Sequence, residues 1–316
     1  MVAIGLSADA VARIRFAVSC LWEVVAAVRV LRDPGSHAVH LPWARRVAVP
    51  RDSLLWALVP REPAYLPDFL TPPPAGLTPD LEAELTQLRA TPAAVVRDHL
   101  DQYGHRTPAL DDLYADPATG LVRLSGEIEE FWHTAIAADW PRIQLLLDAE
   151  IFARARGLAE DGAAGLLNDL HDKVRWEGGT LSISKRFCTA DDVGDGTGLV
   201  LVPSVFVWPS VLSVFAGNVP QLAYPARGVA TLWEPRREGT DALGAVLGRG
   251  RTRLLVELDA PSSTTELARR TGMTAGGVSQ HLTTLRAAGL VAAHRHGRSV
   301  LNVRTALAEA LLGSAQ

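Results

Sequence analysis

Near its C-terminus the chain reads TAGGVSQHLTTLRAAG, residues 274–289, and this stretch carries the side chains best suited to recognition chemistry. Val278, Leu282 and Leu285 recur at i, i+4 and i+7, the spacing of one buried helix face. Ala275, Gly276, Ser279, Gln280, Thr283 and Arg286 are then turned largely outward. A Gln amide pairs bidentately with the edge of adenine, and Ser or Thr hydroxyls bond to bases or to phosphates. Gly276 and Gly277 weaken a helix by about 1 kcal/mol each. Close approach of the backbone to a duplex is one reason to keep them, and a merely weak first turn is the other.

A second group follows in LVAAHRHGRSVLNVRT. Two strand-like runs flank His296-Gly297, where glycine supplies the positive φ of a tight turn. The tip gathers His294, Arg295, His296 and Arg298. Cations there suit phosphate or the minor groove, with a solvated hairpin tip as the bland alternative.

Positioning these groups requires a particular set of elements. A helix over Ala242–Leu258 is expected, with a break at Gly248 or Gly250. Ser263-Thr264-Thr265-Glu266 has the form of a capping box, the Ser hydroxyl serving the N3 amide and the Glu reaching back. It opens a short helix that Gly272 closes in the left-handed conformation. Thr274 caps the next helix and Gly289 ends it. Two helices joined by a tight glycine-containing turn form a helix-turn-helix, and the hairpin beside it is a wing.

With these pieces in place, TTELARRTGMTAGGVSQHLTTLRAAGLVAAHRHGRSVLNV resembles the winged helix-turn-helix of ArsR/SmtB-type bacterial transcriptional repressors. The resemblance covers about the last quarter of the chain. It implies that Ser279, Gln280 and His281 lie in the DNA-reading helix, that Arg295, His296 and Arg298 lie in the wing, and that the partner is double-stranded DNA. It also implies a homodimer built on the first and last helices, for which Leu243, Val246, Leu247, Leu307 and Leu311 are the candidates; plain core packing would explain them as well. Thr274, Gly276, Gly277, Thr283 and Arg286 complete the expected DNA-binding set. The sequence departs from the metal sensors of that family: TELARRT has no cysteine, and ALAEALLGS has one Glu and no His. No metal site and no cofactor are therefore expected. Upstream, the phrases PWARR, YLPDFLTPPP, LVPSVFVWP and YPARGVATLWE resemble a domain of unknown function fused to such modules in actinomycete regulators.

The whole chain has 316 residues, 48% hydrophobic and 21% charged, with a net charge of −4. That composition excludes whole-chain disorder, and the length suits a large domain plus a small module. The charge is unevenly placed. Residues 241–316 hold nine basic residues, all Arg, against five acids, a balance of +4 that leaves −8 for residues 1–240. All eight Trp, four Tyr and seven Phe precede residue 234. The charged, glycine-bearing run EPRREGTDA marks the linker, giving an N-terminal domain over 1–238 and a DNA-binding module over 239–316. The expected class is α+β: a mainly helical N-terminal domain with a small β-rich portion, then the winged helix-turn-helix.

In the N-terminal domain a helical pattern over 5–32 breaks at Ser19, which caps CLWEVVAAVRVLR with its apolar residues mostly on one face. Prolines exclude a long helix over 33–80. Residues 80–170 read as helices, one opened by Pro141 and another covering Ala164–His171. Beyond Gly178 the texture is strand-like in GGTLSISKRF, GLVLVP, SVFVWP, QLAYPARG and VATLWEP. The uncharged stretch 196–226 is long enough to span a membrane, but Pro203, Pro209 and Pro220 divide it into short β-branched runs, read as buried strands. The N-terminus, with an acid and two arginines, lacks the apolar run of a signal peptide. Two isolated cysteines, Cys20 and Cys188, make no disulfide framework and suit a reducing cytoplasm.

Other chemical candidates have plainer readings. Gly194-Asp195-Gly196-Thr197-Gly198 precedes a strand rather than a helix, so a turn is expected in place of a phosphate loop. His133 with Glu129 and Glu130 reads as a solvated helix face rather than a metal site. His99, His105 and His171 have acids nearby, as is ordinary in an acid-rich chain. The tryptophans belong to a core, an apolar pocket for a small organic effector, or a dimer interface. The functional expectation is a sequence-specific DNA-binding repressor, not an enzyme. The rival is an enzyme in residues 1–240 with the C-terminal module as a docking head, but no convergent catalytic cluster can be named for it.

Overall fold

The computed structural model describes residues 2–48, 50–61, 65–103, 106–184, 196–214, 219–233, 239–296 and 299–313. The chain divides into two compact units, Met1–Trp233 and Glu234–Gln316. The fold is α+β.

The N-terminal unit begins with β1 (Val2–Gly5), α1 (Ala8–Ala12), β2 (Arg15–Phe16) and α2 (Cys20–Arg32). Short helices α3 (Leu41–Ala44) and α4 (Leu54–Leu58) lie in the proline-rich wrap. Then come α5 (Leu81–Arg89), α6 (Ala93–Leu100), α7 (Pro108–Ala115), α8 (Pro117–Phe131) and α9 (Trp140–Asp169). Strands β3 (Val174–Glu177), β4 (Thr180–Ile183), β5 (Val200–Ser204), β6 (Leu212–Val214) and β7 (Gln221–Pro225) complete it. One sheet is antiparallel in the order β1-β4-β3, and the other is mixed in the order β2-β5-β7-β6. Strands β5 and β7 pair in parallel and are almost wholly buried, which is why they read as continuous apolar runs. Pro203 is tolerated in central β5 because β2 pairs only with Val200 and Leu201, so no ladder partner awaits the missing N–H.

Helix α2 is the axis of the main core. Every residue from Cys20 to Val30 is buried, as expected of a helix surrounded on all sides. Its N-terminus is closed by two side chains. Ser19 Oγ accepts from Trp22 N at 3.1 Å, and the buried Glu84 of α5 accepts from Cys20 N and Leu21 N, both at 3.0 Å, and from the Ser19 hydroxyl at 2.6 Å. Glu23, also buried, accepts from Val205 N, Phe206 N and Ser204 Oγ just after β5. Burial pushes the Glu23 carboxyl up to about 7 against the pull of these hydrogen bonds.

Several expectations are corrected here. The pattern over 5–16 is not helical throughout: β1 and β2 bracket the short α1, and each strand pairs with a segment some 180 residues away. The apolar residues of α2 lie on every face, not one. Within VATLWEP, Val229–Thr231 form a 3-10 turn, not a strand, and the last two residues lie outside the described residues. The helix expected over Ala164–His171 is present as the last part of α9, set off by a non-helical Gly162 (φ +70°) and ending at Asp169 rather than His171; buried Arg154 bridges the kink from Glu150 Oε1 (2.5 Å) to the Asp169 carbonyl (2.7 Å). Pro141 does open a helix. Gly196 adopts a positive φ and donates to Asp9 Oδ2 at 2.7 Å. Gly194, Asp195, Cys188, His105 and the linker residues 234–238 lie outside the described residues. Among the described residues, no helix is long and apolar enough to cross a membrane.

The C-terminal unit comprises α10 (Gly239–Leu247), α11 (Arg249–Glu257), β8 (Ser262–Ser263), α12 (Thr264–Thr271), α13 (Ala275–Ala287), β9 (Val291–His296), β10 (Ser299–Arg304) and α14 (Ala306–Gly313). Gly248, at φ +88°, separates α10 from α11. Strand β10 pairs antiparallel with both β9 and β8, a third strand that the sequence patterning did not announce. Leu254, Leu255 and Leu258 of α11 and its end, Leu267 of α12, Val278, Leu282 and Leu285 of α13, and Leu290 and Val291 form one core.

Candidate nucleic-acid interface

Helix α13 is held by its own termini. Thr274 Oγ1 accepts from Gly277 N at 3.2 Å at its start. At its end Gly289 (φ +70°) permits two closing bonds, Gly289 N to the Arg286 carbonyl and Leu290 N to the Leu285 carbonyl, both 2.9 Å, the Schellman arrangement. Helix α12 before it starts at Ser263, whose Oγ accepts from Glu266 N at 3.2 Å, and ends at Gly272 with φ +70°. The capping box is only half made, because the Glu266 carboxylate turns to Arg269 at 2.6 and 3.2 Å. That hydrogen bond holds Glu266 below the usual carboxylate range.

The inward and outward faces of α13 divide as the periodicity predicts. Val278, Leu282 and Leu285 are buried. Ala275, Gly276, Ser279, Gln280 and Thr283 are exposed. The Thr283 hydroxyl donates to the Ser279 carbonyl at 2.9 Å, which leaves its lone pairs as acceptors. A methyl added at Gly276 would meet nothing within 4 Å, whereas one at Gly277 would press on Thr274 Oγ1 at 3.1 Å. Packing therefore accounts for Gly277 and not for Gly276.

Two expected contacts have neighbours inside the unit. His281 lies on the flank of α13 against α11; a methyl at Gly250 would come within 2.9 Å of its Nε2. Arg286 is exposed, yet its Nη2 donates to Asn302 Oδ1 at 2.6 Å. Asn302 itself is fully buried in β10 and donates to the Ser262 carbonyl at 3.1 Å. Asn302 was not anticipated. Its signal is an amide on the inward phase of the strand, between half-buried Leu301 and Val303.

The strands of the wing are present, pairing from Ser299 with His296 to Arg304 with Val291. Arg295 and His296 lie at the end of β9. Arg298, with Gly297, lies outside the described residues. The arginines of the unit sort by partner. Arg270 pairs with Asp259 (2.9 Å) and Glu257 (3.0 Å), and Arg304 bonds the Leu258 carbonyl (2.8 Å) and Glu309 (3.2 Å). Arg249 and Arg253, one turn apart on α11, are exposed and have no hydrogen-bond or ion-pair partner among the described residues. Of the candidate dimer contacts, Leu243, Leu247 and Leu311 pack on the unit's core, while Val246 and Leu307 are 82% and 55% exposed. Among the described residues, no group of three or more His, Cys, Asp or Glu is arranged to hold a metal.

Residues 252–293, from α11 into β9, match a family described as bacterial regulatory protein, arsR family. No curated protein and no solved structure matches the chain. The C-terminal unit thus carries the ArsR-type helix-turn-helix of DNA-binding transcription regulators. The likeness of the N-terminal phrases to a domain fused to such modules has no support from these comparisons.

Proposed function

We propose that the protein is a sequence-specific repressor that binds double-stranded DNA as a homodimer. The observation that carries this reading is α13: its apolar face is buried, and Gly276, Ser279, Gln280 and Thr283 stand outward at its N-terminal half, beside a two-stranded wing. A helix of this kind reads base edges in the major groove, and a dimer places two of them about one helical turn apart. Gln280 is assigned to a base edge, Ser279 and Thr283 to bases or phosphates, and Gly276 to close backbone approach. Thr274 and Gly277 shape the first turn. Arg295, His296 and Arg298 are assigned to the wing's contact with phosphate or minor groove. The exposed Val246 and Leu307 support pairing of two copies through α10 and α14.

Control is assigned to the N-terminal unit and to a small organic effector rather than a metal. Such an effector acts only by binding one arrangement of the two heads more tightly than the other. The buried carboxylates Glu23 and Glu84 cap backbone amides, which supports a structural rather than a catalytic role for them.

The test is binding of the full chain to the duplex upstream of its own coding sequence, against random duplex, over a series of salt concentrations. Tighter binding to the upstream duplex is expected. Equal affinity for both at every salt concentration would overturn the reading.

A further inference from the structure

Arg286 stands at the C-terminal end of the recognition helix, where a cation would ordinarily be read as one more phosphate contact. Its surroundings point elsewhere. The acceptor it meets, Asn302 Oδ1, is fully buried, and the other end of the same amide donates to the Ser262 carbonyl of β8. Asn302 therefore joins three elements: α13 through Arg286, β8 through Ser262, and β10 through its own backbone. Without Arg286 its Oδ1 would be left buried with no donor, which the interior tolerates poorly. An arginine is suited to this reach because its planar guanidinium donates at the end of a long stem while the remaining N–H groups stay in water.

We infer that Arg286 is a positioning residue: with Asn302 it clamps the wing to the recognition helix, so that both meet the duplex as one rigid piece. The inference rests on the DNA-binding reading above, and the clamp itself is a property of the free protein. If the wing is held through Arg286, loosening it costs affinity although no contact to DNA is removed, because the wing must then be ordered on binding.

The experiment compares the full chain with its Arg286→Ala variant in two measurements, with thermal unfolding followed in parallel. Amide hydrogen exchange without DNA should quicken at least about threefold along Val291–His296 and Ser299–Arg304, while α11 and α12 stay protected. Affinity for the upstream duplex should fall about tenfold with little change in the unfolding temperature. A loss of affinity with unchanged exchange would make Arg286 a phosphate contact and overturn the clamp. Faster exchange with unchanged affinity would reduce it to a local structural bond and overturn the positioning role. If the unaltered chain shows no preference for its own duplex, the functional reading fails; the exchange measurement would still report separately on whether the clamp exists.

Discussion

The indole of Trp233 donates to Nδ1 of His40 at 3.0 Å; Phe206 packs against both rings, and Trp43 against Trp233 and Phe206. His40 is fully buried, and burial depresses its pKa to about 3 from 6.5. The unfolded chain therefore takes up the proton first as pH falls. The contribution of neutral His40 is complete above about pH 6.5 and is lost progressively toward pH 3. The prediction is a comparison. His40→Gln keeps an acceptor but does not titrate, so the stability advantage of the natural chain over it should shrink as pH drops from 6.5 to 4. Urea unfolding followed by tryptophan emission measures this directly, because every tryptophan lies in the N-terminal unit. An advantage that stays constant over that range would refute the prediction.

Glu84 offers a prediction about the main core. Its two oxygens accept from two backbone amides at the start of α2 and from the Ser19 hydroxyl. Replacing it with Gln turns an NH2 toward a donor, leaving at least one buried N–H unsatisfied. Glu84→Gln should destabilise the N-terminal unit by about 2–3 kcal/mol, more than the roughly 1 kcal/mol expected of Ser19→Ala at an ordinary cap. A lower urea midpoint with an unchanged slope is the expected result.

Much of the C-terminal unit was legible because its signals are local. Val278, Leu282 and Leu285 mark a face within eight residues, and Gly272 and Gly289 stop helices where they stand, both at φ +70°. What escaped is whatever depends on distant chain. β1 and β2 could not be told from helix, since the partners that make them strands, β4 and β5, come some 180 residues later. The all-round burial of α2 depends on elements from both ends of the unit. At the candidate site, periodicity put Arg286 outside correctly but could not show that β10 would present an acceptor to it.

Gly276 separates folding from function. A methyl there meets nothing within 4 Å and the residue has no positive φ, so the fold alone gains from alanine, by up to about 1 kcal/mol. Gly276→Ala should leave the unfolding temperature of the C-terminal unit equal or higher, yet weaken binding to the upstream duplex about tenfold, or 1.4 kcal/mol. Calorimetry and fluorescence anisotropy on the same sample decide it. Unchanged affinity would leave Gly276 as a weak first turn with no role in approach to DNA.

The arginines without a carboxylate partner among the described side chains make the last prediction. Arg269, Arg270 and Arg304 already face carboxylates, so engaging a phosphate would mean giving up a partner. Among the described side chains, Arg249 and Arg253 have no such competitor. Each phosphate neutralised contributes about 0.9 to the slope of log affinity against log salt. If α11 lies along a strand of the duplex, Arg249→Ala and Arg253→Ala should each lower that slope by about one, with similar losses on specific and random sequences. Gln280→Ala should behave in the opposite way, leaving the slope unchanged while narrowing the gap between specific and random duplex by about 1–3 kcal/mol. Slopes that are unaltered in both arginine variants would remove α11 from the interface and leave phosphate neutralisation to the wing.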